Sequence, residues 1–525
     1  MSKPKAGFWF IGLFVLYCAV LAVTTARHES WFDEAQAWLM ARDLTPFRLW
    51  TTYLRYEGTP GLWHTILMVP AKLGLPYGAM HVVSCLSAIA GTALLMWRSP
   101  FPIFVRALLP FTYFLMYQYA VIARSYSLLP LLFFLTAFAL PRARQRPIWL
   151  IVILILMANV SVHGILAASG IFVVYMAETL IARKALPKIA LVRHLVASAA
   201  WGVVLVLLAV QLWPPKDLSF PVASTRESIH ASSIYTQIGE AFTVRYKNID
   251  EIGQRVDENR SDARFARGMR IVGIVACSIL LALSLFWFYK ARVLLYFLLP
   301  ITGVLLLSLL YHNRWHSGVL FLIWLFAMWI AAQKSNLPTP RYIYLVWILV
   351  LVPQLYWSAM TVAFDIRKPY SGSRAAADYL IAEGLAEKEV FAAGYEATSI
   401  QAYFNQNLFC NYQDGANKAF WFWSATNNVP EVLSTIPLSR PDVLIISLRT
   451  DDQAAAAATL ERSLPQSGYR LGGRFDGELY WKSSVLESES FLVIRKDGAD
   501  VGKVTRNRHE QRPAAESVSA LGPSH

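Results

Sequence analysis

The sequence predicts a polytopic α-helical membrane protein that ends in a small α/β domain outside the membrane. Three observations carry that reading. Hydrophobic residues make up 56% of the chain and charged residues 16%, with a mean hydropathy of +0.41, far from the balance of a soluble domain. Apolar runs of about 20 residues, the length that crosses the hydrocarbon, recur through the first two thirds of the chain. Short Lys and Arg clusters punctuate them and account for much of the net charge of +14, so the charge orients helices against the membrane and does not point to nucleic acid.

Taken in order, M-S-K-P-K and the apolar run after it form an uncleaved first anchor over 7–26. Further spans are expected at 79–97, 101–122, 125–141, 147–162, 164–182, 190–212, 271–289, 293–311, 317–333 and 341–363, eleven in all. The stretch 62–74 contains Pro70 and Lys72 and is short for a span. If it does not cross, the clusters at Arg98 and Arg106, Arg142 to Arg146, Arg183 to Arg193, Lys290 and Arg292, and Lys334 and Arg341 share one cytoplasmic face. It is therefore expected to be an interfacial or re-entrant helix. The membrane domain then covers 1–365, including a first outer loop 27–78 with amphipathic helices and an outer loop 213–270. A soluble α/β domain follows over 366–499, and a disordered tail over 500–525. In the soluble part S-R-A-A-A-D-Y-L reads as a helix capped by Ser373, and E-V-F-A-A-G-Y, D-V-L-I-I-S-L and E-S-F-L-V-I-R-K read as strands. Cys18, Cys85 and Cys277 fall in apolar runs and Cys410 stands alone, so no disulfide framework or thiolate metal site follows.

The first outer loop carries three apparent helix starts, at Ser30, at Thr45 before Pro46, and at Thr59 before Pro60. In the first, S-W-F-D-E-A-Q-A-W, the spacing of Trp31, Ala35, Trp38 and Leu39 predicts a face lying on the membrane surface. Asp33 stands where a capping-box side chain would return to the Ser30 N–H, while Glu34 is free to face water. A carboxylate held there is equally suited to take a proton from an acceptor hydroxyl.

Polar groups gather at the same outer ends of the expected spans: Glu57 and His64 in Y-E-G-T-P-G-L-W-H, Arg124 and Tyr126 in A-R-S-Y-S, His163 in N-V-S-V-H-G, and His312, Arg314 and His316 in Y-H-N-R-W-H-S-G. Each has a plain alternative, a snorkelling Arg124 or a helix end at His163 and Gly164. Together they place acids beside cations and hydrogen-bond donors on one face, a combination suited to transfer from a phosphate leaving group. No phosphate-cradling Gly-rich loop is present, which favours a lipid-linked phosphate over a nucleotide.

These features resemble the GT-C superfamily of integral-membrane glycosyltransferases, in the branch of the protein O-mannosyltransferases and lipid A aminoarabinose transferase. The resemblance rests on Asp33-Glu34 after the first span, the surface helices of that loop, G-T-P-G-L, Arg124-x-Tyr126 at an outer turn and the terminal extracytoplasmic domain. It is strongest over residues 1 to about 180. It implies inverting transfer of a sugar from a polyprenyl-phosphate donor to a cell-envelope glycan, lipid or protein. Asp33 would be the general base, with Glu34 orienting the helix or contacting substrate. The donor phosphate would lie at Arg124 and Tyr126 with Arg314 and His316, and Glu57, His64 and His163 would meet substrate. The chain departs from that branch at 59–64, where Gly61 replaces a second proline and His64 follows.

No cofactor is firmly implied. A divalent cation near Asp33, Glu34 and His64 is conceivable, but the spacing is not that of a ligand set, so no metal site is assigned. The expected location is a bacterial inner membrane, with the site and the C-terminal domain on the periplasmic side. Two other readings stay open: a transporter or flippase of lipid-linked saccharides, expected to concentrate broken helices near the midplane in repeated halves, and a non-catalytic envelope assembly subunit, in which Asp33 is replaceable.

Overall fold

The computed structural model describes residues 4–185, 187–219, 231–244, 260–311, 313–334, 339–412, 419–425, 440–449, 451–482 and 484–497. The expected tail 500–525, His312 and the parts 220–230 and 245–259 of the outer loop lie outside these residues. Among the described residues eight helices are long and apolar enough to cross a membrane: Phe8–Arg27, Ala79–Arg98, Ser125–Arg142, Val162–Ile181, Lys188–Gln211, Arg267–Lys290, Arg314–Lys334 and Arg341–Arg367. Two further apolar helices, Pro147–Ala158 and Leu294–Leu310, are shorter. Large side chains such as Phe8, Leu86 and Val206 remain exposed on the outer faces, a surface matched to lipid. Arg314–Lys334 is the axial helix, with every residue from Ser317 to Ala331 buried.

The stretch expected to span at 101–122 is not a continuous helix. It runs as a short helix Ile103–Leu108, a tight turn over Leu109–Phe111 and a wide helical turn over Tyr113–Gln118. Pro110 cannot donate to a helical ladder, and the broken backbone is enclosed by protein, with Tyr113, Phe114, Tyr117, Val121 and their neighbours buried. Irregular backbone is tolerated at membrane depth only when it is shielded in this way.

The first outer loop also differs from expectation. Helix α2, Phe32–Asp43, follows α1, Pro4–Arg27, and does not lie on the membrane surface. Trp31, Ala35, Trp38 and Leu39 are all buried. One side of α2 packs on the helix Leu62–Lys72, which carries the expected interfacial segment, and another packs on the short helix Thr398–Gln401 from the C-terminal region. The exposed aromatic side chain of the loop is instead Phe47, 75% exposed in the turn Pro46–Arg48 that Thr45 caps as expected.

The C-terminal region forms a four-stranded sheet in the order β1-β2-β6-β3, from Val390–Ala393, Val443–Ser447, Phe491–Lys496 and Tyr469–Phe475. β1 and β2 are parallel and the other pairs antiparallel, and β4 (Glu478–Trp481) pairs with β5 (Ser484–Ser488) in a separate hairpin. The three expected strands are β1, β2 and β6. The helix Ser373–Ala382 is also present, with Gly372 rather than Ser373 in the cap position. β3 is interrupted by Gly472 and Gly473 and bulges between Leu471 and Gly473, which erases its alternation in the sequence.

This region is docked onto the bundle. Lys482 is fully buried and reaches Glu240 of the helix Ala231–Phe242 at 2.7 Å, while Trp481 Nε1 donates to the same carboxylate at 2.9 Å. Thr361 of the last long helix donates to the Lys482 carbonyl at 2.8 Å. Removing one partner of such a pair leaves a buried charge uncompensated. Lys482→Met is expected to lower unfolding stability by about 3–5 kcal/mol, and Glu240→Gln with Lys482→Met together by less, in a double-mutant cycle of thermal unfolding in detergent.

Candidate active site

The site is built around a carboxylate that does not touch it. α2 begins at Phe32, with Trp31 in the cap position, so the capping-box residue is Glu34 and not Asp33. Glu34 Oε2 accepts from the Trp31 N–H at 3.3 Å, and Ser30, expected to be the cap, bonds His81 Nε2 at 2.7 Å. Glu34 is wholly buried, contrary to the expectation that it could face water. Its Oε2 also pairs with His28 Nε2 at 3.1 Å, and its Oε1 accepts from the Ala123 N–H at 2.6 Å. The other imidazole nitrogen of His28 meets Asp365 Oδ2 at 2.9 Å. Burial alone would lower the His28 pKa, but Asp365 and Glu34 reverse that and hold it at about 10. Burial likewise opposes ionisation of Glu34, yet His28, His81 and the Ala123 N–H keep it below the usual carboxylate value. His28 is thus an imidazolium between two carboxylates.

One consequence is geometric. Glu34 grips Ala123, the neighbour of Arg124, and is itself the neighbour of Asp33. Asp33 points the other way, and its Oδ2 lies 2.9 Å from Arg124 Nη1, both side chains about a quarter exposed. The Arg124 guanidinium also sits over the Trp31 and Tyr126 rings, at 5.7 and 5.9 Å.

This ion pair opens into a cavity of about 1150 Å³ that Asp33, Glu57, His64, Arg124, Tyr126, His163, Arg314 and His316 all line. Among the described residues assigned a role at the site from the sequence, Glu34 is the one not on the wall. Tyr126 OH bonds His163 Nδ1 at 3.3 Å, and the His163 and His316 rings stand 4.0 Å apart. Glu57 ends a short helix at Gly58, whose φ of +60° turns the chain, and accepts from Gln36 Nε2 at 2.7 Å. Burial pushes Glu57 up to about 7 against the Gln36 hydrogen bond, with the Asp33 charge adding to the rise. Burial brings His64 down to about 4, and its Nδ1 has no hydrogen-bond partner among the described residues. The imidazole lines the cavity while its Nδ1 is buried.

Three helix N-termini converge here. Ser125–Arg142 starts beside Arg124, Val162–Ile181 starts at Ser161, whose hydroxyl accepts from the Gly164 N–H at 3.1 Å, and Arg314–Lys334 starts at Asn313, whose side chain accepts from the Trp315 N–H at 3.3 Å. Their positive ends add to a wall with five arginines, Arg55, Arg124, Arg270, Arg314 and Arg449, against three acids, Asp33, Glu57 and Glu487. The cavity favours an anion.

Sequence reasoning missed the contribution of the C-terminal region. Arg449 pairs with Glu487 at 2.6 Å and also lies over the Trp31 ring, at 5.6 Å, and Tyr395 and Trp423 pack with Phe32 at the wall. The one signal was position: Arg449 lies just past the carboxyl end of a buried strand, where open α/β sheets place ligands. Among the described residues no three His, Cys, Asp or Glu side chains converge as metal ligands. Glu34, Asp33 and His64 do not form such a group, since Glu34 is committed to His28, Trp31 and Ala123. No family model matches this chain, and no curated protein does.

Glu489 fastens α2 from the other side. Its carboxyl is buried and takes the Phe32 N–H at 3.2 Å and the Ser371 hydroxyl at 2.9 Å. Burial raises it from 4.5 to about 8, although Arg449, the Phe32 N–H and Ser371 work the other way. With the folded-state value above the ordinary one, its stabilisation is complete below pH 4.5 and lost as pH rises through 8, by up to about 1.4 kcal/mol per pH unit in that window. Glu489→Gln, which stays neutral, is expected to flatten the loss of Tm between those limits relative to the wild type.

Proposed function

We propose that this protein is a membrane glycosyltransferase whose cavity receives a polyprenyl-phosphate sugar and a cell-envelope acceptor, on the periplasmic face of a bacterial inner membrane. The observation that carries the reading is the Asp33–Arg124 pair at the meeting point of three helix N-termini. A base and a phosphate-binding cation stand side by side, each fixed through a neighbour of Glu34.

In the resting state Arg124 neutralises Asp33. A donor phosphate competes for the same guanidinium, so donor binding frees the Asp33 carboxylate when the anomeric carbon is in place. The acceptor hydroxyl then gives its proton to Asp33 as its oxygen bonds the anomeric carbon. The bond from that carbon to the phosphate oxygen breaks, and its electron pair leaves with the polyprenyl phosphate. Arg124, Arg314 and the helix N-termini meet the charge that develops on the phosphate. Attack opposite the leaving group inverts the anomeric centre. His64, His163, His316 and Tyr126 supply hydrogen bonds to sugar or phosphate, and Glu57 carries the proton that its raised pKa retains near neutrality. Under this reading Glu34 positions the pair and takes no part in proton transfer. Eleven membrane crossings put the cavity and the C-terminal region on one side.

The test is transfer from a radiolabelled polyprenyl-phosphate sugar to crude envelope acceptor by purified protein. Asp33→Asn is expected to fold normally and lose about 10²–10⁴-fold in turnover. Retained turnover would exclude Asp33 as the general base.

A further inference from the structure

The three helices whose N-termini frame the large cavity also share a second one at their other ends. Leu140 and Arg142, Glu178 and Thr179, and Gln333 and Lys334 come from the last turns of Ser125–Arg142, Val162–Ile181 and Arg314–Lys334, and with Arg144 they line a cavity of about 600 Å³. From Tyr126, His163 and His316 the chain runs about 14–18 residues to this end, about 21–27 Å at 1.5 Å per residue, close to the hydrocarbon thickness of about 30 Å. The second cavity therefore opens at the headgroup level of the opposite leaflet.

Its charges are not simply loop charges dispersed in water. Lys334 Nζ pairs with Glu178 Oε1 at 2.8 Å, and Tyr296 OH donates to Glu178 Oε2 at 3.0 Å, so the cavity's carboxylate is answered on both oxygens. Arg142 and Arg144 then supply the wall's positive charge, against the partial negative charge of the three helix C-termini, beside apolar Leu140 and Ile330. Arg142 spends one N–H on the Phe138 carbonyl at 3.3 Å, the plain helix-capping role of such a residue, and its guanidinium lies 4.9 Å over the Phe138 ring, while the residue as a whole is exposed. Planar guanidinium groups match phosphate oxygens, and basic pockets between spans hold acidic headgroups.

We propose that this second cavity binds the phosphodiester headgroup of an anionic membrane lipid. The volume lies in the range of small-ligand sites, the apolar wall suits the start of the acyl chains, and Arg142 and Arg144 hold the phosphate. Occupancy would tie together the ends of three helices that carry the large cavity at their other ends. The inference does not depend on what that cavity catalyses.

The test is native mass spectrometry and thermal unfolding of the full chain in neutral detergent, with phosphatidylglycerol, phosphatidylcholine or inorganic phosphate added. Phosphatidylglycerol is expected to bind and raise Tm, and the other two are not. Arg142→Gln and Arg144→Gln are each expected to weaken phosphatidylglycerol binding about fivefold, while Arg183→Gln, on a cation outside the cavity, leaves it unchanged. Unchanged binding in both cavity variants would overturn the proposal, and so would an equal loss with Arg183→Gln, or a Tm shift that inorganic phosphate alone reproduces.

Discussion

The arrangement depends on one buried carboxylate. Glu34 joins the end of α1 through His28, the first turn of α2 through Trp31, and the turn before Ser125–Arg142 through Ala123. His28 extends the chain of contacts to Asp365 near the end of the last long helix. Taking a carboxylate out of water costs several kcal/mol, and here an imidazolium and two backbone N–H groups offset that cost. The contacts differ in sequence separation from a few residues to hundreds, so they close only when the bundle is assembled. Asp33 and Arg124 inherit their geometry from this: Asp33 is the neighbour of Glu34 itself, and Arg124 the neighbour of the Ala123 that Glu34 holds.

The C-terminal region completes the constraint from outside. Glu489 takes the Phe32 N–H, Gln36 exchanges hydrogen bonds with the Trp421 backbone, and Arg42 donates to the Phe404 carbonyl. α2 is thus held on one side by the membrane helices and on the other by a sheet domain, with the cavity between them. Within this half-open, cationic space the partly exposed Asp33–Arg124 pair is screened less than it would be in free solution.

Much of this was legible in the sequence, and the misses have physical causes. The long apolar runs and the clustering of Asp33, Arg124, His163 and Arg314 at one end of the helices were readable because period and sidedness are local properties. The capping register of α2 was read one residue early because Ser30 and Trp31 are both followed by an acid three positions on. The Trp31 N–H bond to Glu34 and the contact of Ser30 with His81 decide between them. The surface position of α2 could not be read correctly, since its cover, Thr398–Gln401, comes from more than 350 residues downstream. The stretch 101–122 has the composition of a span but carries Pro110 where a helix would need a donor. Arg449 and Glu487 reach the wall through tertiary packing, which no local pattern encodes.

The central claim is that Arg124 is shared between Asp33 in the resting site and a donor phosphate in the occupied one. The direct measurement is equilibrium binding of polyprenyl phosphate, without sugar, to the wild type and to Asp33→Asn. Removing the resident counter-ion should free the guanidinium and tighten binding about fivefold, the worth of about 1 kcal/mol for a partly exposed pair, even though the same variant cannot catalyse transfer. Weaker or unchanged binding would contradict the account, because Arg124 would then not be the group for which carboxylate and phosphate compete.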